Sequence, residues 1–184
     1  MKQALRDKIV KKAIQLTTKN GLQFPSTKEI ASACKISQPS IYYYFRDKQE
    51  LLSECAFYVA TKTSKCIASV ANPSDTVEEA YKAALNAVVK LIKSNTGEAK
   101  FYLLVQTSLK QFHNDEEQLK RLITLATPTE NIFHRGIEEG ILHKFTNMYS
   151  ICFFPIYLLL LSVPEVSPEE IELFIDRLWH AVAK

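Results

Sequence analysis

Only two residues separate one short amphipathic helix from the next within TKEIASACKISQPSIYYYFRDKQELL, residues 27 to 52. Ile30, Ala31 and Cys34 fall on one face at helical spacing. Ser37 opens a second helix, whose apolar face is Ile41 and Phe45. Lys35 and Ile36 alone must turn the chain, so the two helices have to cross sharply. A short helix, a tight turn and a second helix is the arrangement that sets a helix N-terminus into the major groove of DNA.

The rest of the chain reads as more helix. It has 184 residues, with only 4 glycines against 7 prolines, and β-branched alternation is scarce. A hydrophobic fraction of 47% and a charged fraction of 23% are those of a folded protein. Leu5, Ile9, Ala13 and Leu16, with Val10 and Ile14 beside them, make a helical stripe over 3–20, stopped by Asn20-Gly21. Thr27 is expected to cap the second helix and Asp47 the fourth, which runs from Lys48 to about Val70. Another helix starts at Asp75, Asn95-Thr96-Gly97 breaks it, and 98–112 forms the next. One or two helices then reach Glu139, with Pro128 as a break or kink, and Gly140 caps the run. Two final helices occupy roughly 146–162 and 167–183. The expected fold is all-α, with about nine helices. A three-helix head over 1–46 carries a larger helical body over 47–184.

Charge is unevenly spread. Residues 1–50 carry ten Lys/Arg against four acids, a net +6, so the net +3 of the whole leaves −3 for the remainder. A basic end on a mildly acidic body points to a polyanion contacted from one side. A solvated charged face is the plainer reading of the same numbers. Cys34, Cys55, Cys66 and Cys152 show no metal or redox spacing and are expected to be reduced and buried, as in a cytoplasmic protein. The first apolar stretch is broken by Lys8, Lys11 and Lys12, unlike a signal peptide. The uncharged stretch 145–164 just reaches membrane-spanning length, but Thr146, Asn147, Ser150 and Pro155 interrupt it. A helix buried between its own domain and a second subunit fits it better. His113, His134, His143 and His180 are dispersed, so no metal site is expected. No paired acids, nucleophile and base, or phosphate-cradling glycine loop suggests an enzyme, and no cofactor is expected.

The head resembles the TetR family of bacterial transcriptional regulators. The likeness runs over residues 21–52 through Gly21, Thr27, Ile30-Ala31, Ile36-Ser37, Ile41 to Phe45, Lys48 and Leu51. GIEEGIL at 136–142 is similar to the stretch that often precedes the dimer helices of that family. Lys35 stands in the turn where the family usually has glycine, and Pro39 stands where glycine is common. The resemblance implies an all-helical homodimer joined through the last two helices, and a body that encloses a small-molecule effector. It also implies a repressor that binds a near-palindromic operator.

Residue roles follow from chemistry and resemblance together. Gln38 and Ser40 project from the start of the recognition helix, Gln38–Tyr44, toward base edges, and Pro39 can pack on a thymine methyl. Tyr42 and Tyr43 suit phosphate oxygens, as do Lys48, Thr27 and Lys28 at helix starts. Lys35 adds charge nearby, and Ser37 is an N-cap first and a phosphate donor second. Tyr44 sits at the core edge or meets a phosphate. In the body, Tyr58, Phe101, Tyr102, Phe112, Phe133 and Phe153 either line an apolar ligand cavity or fill a core. The family likeness tilts these six toward the cavity. The competing reading is a helical interaction module that uses its basic end on RNA or a membrane surface.

Overall fold

The computed structural model describes residues 2–21, 23–107, 116–143, 160 and 165–184. Eight helices lie within them: α1 (Lys2–Lys19), α2 (Thr27–Cys34), α3 (Gln38–Tyr44), α4 (Lys48–Ala68), α5 (Val77–Ser94), α6 (Thr96–Thr107), α7 (Glu116–Glu138) and α8 (Pro168–Val182). The fold is all-α. The expected helix over 146–162 lies outside the described residues but for Leu160, as do Phe112, Phe153 and Cys152. No helix among the described residues is long and apolar enough to cross a membrane.

The chain divides into two compact units, Met1–Ala60 with Gly97–Leu122 and Thr61–Thr96 with Ile123–Lys184. In the first, α1 packs on α2 and α2 on α3. The apolar stripe read from the sequence supplies this core: Ile9, Ala13, Ile30, Cys34, Ile41, Phe45 and Leu51 are all buried. Each such aliphatic or aromatic side chain is worth about 1.5–3 kcal/mol on burial, enough to hold helices as short as α3 that would not persist alone. Phe101 and Tyr102 of α6 are buried in this unit too, and Tyr58 is half-buried with Lys11 Nζ 5.9 Å from its ring centroid. Burial pushes the Cys34 and Cys55 thiols up, as expected for packing cysteines.

The second unit is built on α5 against α8. Tyr81 of α5 is its centre, with ring centroids 5.9 Å from Phe133 and 5.4 Å from Trp179. Phe133 therefore fills a core. Lys82 joins the two helices from outside, donating to Asp176 at 2.6 Å and to Glu78 at 2.7 Å. After α7 the chain doubles back: Gly140 takes a left-handed φ of 76°, and Leu142 forms an antiparallel bridge with Ala183.

Helix limits differ from expectation at several points, among them the start of α6 at Thr96, inside the expected break. The cap of α2 is Ser26, not Thr27: the Glu29 N–H donates to Ser26 Oγ, and the Ser26 N–H donates back to Glu29 Oε2. Thr76 and Glu79 repeat this capping box at α5, placing its first residue at Val77 and not Asp75. Helix α7 also runs through Pro128 without a break. Ala126, Thr129, Ile132 and Phe133 share one buried face across it, and that burial outweighs the roughly 3 kcal/mol that an interior proline costs.

Candidate nucleic-acid interface

The site begins with how α2 ends. The Ile36 N–H donates to Ala31 O at 3.0 Å, and the Lys35 N–H to Ser32 O at 3.0 Å. This double closure is a Schellman turn, and it requires a left-handed residue. Lys35 supplies it at φ 57°, ψ 48°, the only non-glycine with positive φ among the described residues. Lys8 of α1 reinforces the corner, donating from Nζ to the Cys34 carbonyl at 2.9 Å, where a cation also meets the negative end of α2.

From that corner α3 starts with Ser37 as N-cap and Pro39 in the first turn, where its missing N–H costs nothing. The Ser37 hydroxyl lies 2.7 Å from that of Ser40 and makes no side-chain bond to the helix backbone. Ile41 and Phe45 anchor the inner side of the motif. On the outer side Tyr42 is 50% and Tyr43 65% exposed, large aromatics left in water. Tyr43 meets Tyr44 edge-on at 5.1 Å, and Lys2 Nζ lies 5.3 Å from the Tyr43 ring centroid.

Lys48 opens α4 and donates to the Phe24 carbonyl at 3.2 Å, with its Nζ 5.6 Å from the Phe24 ring. The four acids of the first fifty residues make local contacts. Asp7 accepts from Gln3, Glu29 is bound to Ser26, Asp47 accepts from the Glu50 N–H, and Glu50 accepts from the Arg46 N–H. Hydrogen bonds from Ser26, with the charge of Lys48 adding, hold the Glu29 carboxyl below its usual range. Exposed Lys28, Lys35, Lys48, Ser37 and Gln38 make a donor-rich set suited to phosphates and base edges.

Residues 9–55 match the family described as bacterial regulatory proteins, tetR family. YerO of Bacillus subtilis, an HTH-type transcriptional regulator, is 36% identical over 61 residues, or 33% of this chain. The matched stretch spans 21% of YerO. Two solved structures share the fold along the chain. A TetR family transcription regulator from Marinobacter aquaeolei has a TM-score of 0.83 at 21% identity, covering 100% of both chains. A TetR family protein from Vibrio parahaemolyticus has a TM-score of 0.80 at 22% identity, covering 98% of this chain and 99% of that one. The head of this chain, residues 9–55, thus matches the TetR family, and the fold along the chain is one that TetR-family structures share.

In this helix-turn-helix head, Lys28, Lys35, Ser37, Gln38, Pro39, Tyr42, Tyr43 and Lys48 are exposed and Ser40 is half-buried. Thr27 differs. It is 7% exposed, and its hydroxyl is engaged by α3: Gln38 Nε2 donates to it at 2.9 Å, and the Tyr42 hydroxyl lies 3.3 Å away. Lys2 and Lys8 stand against the motif and were not among the residues singled out from sequence. The charge excess of residues 1–50 was their only signal, because neither falls in the helix-turn-helix pattern. The geometry and the match over residues 9–55 thus agree on a helix-turn-helix head.

Proposed function

We propose that the protein is a ligand-responsive repressor that binds a near-palindromic operator as a cytoplasmic homodimer. The observation that carries this reading is the outer face of α3, where Gln38, Pro39, Tyr42 and Tyr43 are exposed beside a turn built on Lys35. Gln38 and Ser40 read base edges, while Tyr42, Tyr43, Lys28, Lys35 and Lys48 hold phosphates. Two heads of a dimer occupy half-sites about 34–36 Å apart, or a multiple of that distance. An effector held in the helical body releases the DNA because it binds a splayed state better than the DNA-competent one. The protein is a regulator and not an enzyme.

Selection of duplexes from a random library by the purified protein, followed by binding at two salt concentrations, tests the reading. The selected sites should be inverted repeats bound by a dimer. Lys48→Ala should weaken all duplexes alike and lower the salt slope by about 0.9, whereas Gln38→Ala should relax the preference at one base position. A library that yields no enriched sequence, with binding that depends on charge alone, would favour a general polyanion module.

A further inference from the structure

We propose that Thr27 is a positioning residue for DNA recognition, whose hydroxyl orients the Gln38 amide and the Tyr42 phenol from beneath α3. This rests on α3 being the recognition helix. Thr27 is the first residue of α2 and Gln38 the first of α3, with Tyr42 one turn further along. Positions four apart share a helix face, so Gln38 and Tyr42 come down on the same buried oxygen. That oxygen is 2.9 Å from Gln38 Nε2 and 3.3 Å from the Tyr42 hydroxyl.

A hydroxyl has one proton and two lone pairs, which limits how the three groups can be wired. One N–H of Gln38 is spent on Thr27. The second N–H and the amide oxygen remain, and they are the donor and acceptor that an adenine edge takes together. With a lone pair of Thr27 occupied by Gln38, its proton is available to the Tyr42 oxygen. The phenol proton is then free for a phosphate oxygen. The opposite wiring, with Tyr42 donating to Thr27, would leave the phenol unable to donate to the backbone. One chain of donors therefore runs from the base reader through Thr27 to the phosphate contact, each bond polarising the next. A long amide side chain in water would otherwise sample many rotamers, and this tether preselects one.

Thr27→Val keeps the shape and removes the hydroxyl, and Thr27→Ser keeps the hydroxyl. Both are measured on a duplex selected by the wild-type protein, on its single-base variants, and on an unrelated duplex at two salt concentrations. Thr27→Val should lose about ten-fold on the selected duplex, the size of one or two lost hydrogen bonds, and should flatten the preference at the base position read by Gln38. The unrelated duplex and the salt slope should barely change, and Thr27→Ser should restore most of the loss. In a Gln38→Ala background the effect of Thr27→Val on base preference should vanish.

Equal weakening of selected and unrelated duplexes, or full additivity with Gln38→Ala, would overturn the positioning role. If Thr27→Val also lowers the melting temperature, the Gln38→Ala background decides, since a general folding defect persists there and a positioning effect does not. A wild-type protein that selects no sequence at all fails earlier, at the reading of α3 itself.

Discussion

Lys35 holds a left-handed backbone at φ 57° and ψ 48° in a turn that leaves no alternative, because both closing N–H groups depend on it. A side chain there costs on the order of 1 kcal/mol against glycine. Lys35→Gly should therefore stabilise the fold by about 0.5–1 kcal/mol and raise the melting temperature by about 1–4 °C. The same change removes a charge placed two residues before the N-cap of α3. If that charge meets a phosphate, the log–log salt slope of DNA binding should fall by about 0.9. Urea titration and binding at several salt concentrations read the two effects separately. A stabilised variant with an unchanged slope would place Lys35 away from the backbone. Thr27 shows the limit of residue-level reading. Its position before Lys28 and Glu29 suggested a surface hydroxyl at a helix start, and only the crossing of α3 over it reveals burial.

At the level of elements, boundaries were legible where capping chemistry was unambiguous. Ser37 with Pro39 marks the start of α3, and Gln38–Tyr44 is the helix that the sequence predicts. Ser26 and Thr27 are both good caps, and the spacing from Ser26 to Glu29 decides between them. Pro128 misleads in the other direction, since propensity is local and the burial that overrides it is not. The loop after α7 was legible only in outline. Gly140 was read as a cap, but nothing local announced Gly136. A Cβ there would lie 2.6 Å and 2.7 Å from Leu142 side-chain carbons and 2.8 Å from Val77 Cγ1. The Gly136 carbonyl also accepts from the Ile141 and Leu142 N–H groups at 2.8 and 2.9 Å, so the chain folds straight back over it. Alanine would gain about 1 kcal/mol of helix propensity, yet overpacking costs typically 1–3 kcal/mol. Because Leu142 is fully buried and Val77 is its neighbour in the clash, the packing loss should win. Gly136→Ala should lower the urea midpoint, and the loss should shrink in a Leu142→Ala background. An additive cycle would mean that Leu142 does not cause it.

On the scale of the chain, the contacts hardest to read are those between distant segments. Glu54 of α4 accepts from Arg6 of α1 and from Arg121 of α7, each at 2.9 Å, joining three helices within the first unit. Arg121 also lies 3.8 Å from the Phe57 ring centroid. Nothing in the spacing of 6, 54 and 121 announces this, and on sequence alone each is one more surface charge. The Glu54 side chain is only 14% exposed. Burial pushes its carboxyl up, but hydrogen bonds and charge from Arg121 and Arg6 outweigh that and hold it below the usual range. A carboxyl depressed in the folded state contributes stability above its unfolded value of about 4.3, and loses that contribution as pH falls through the folded one. Wild type should therefore weaken between about pH 6 and pH 3.5 by more than Glu54→Gln does. At neutral pH Glu54→Gln should cost on the order of 1–2 kcal/mol, since it leaves two guanidinium groups facing an uncharged amide. Urea midpoints for both proteins across that range isolate the Glu54 contribution from the protonation of the other carboxylates. Parallel pH profiles would show that the two arginines hold no carboxylate whose charge matters to the fold.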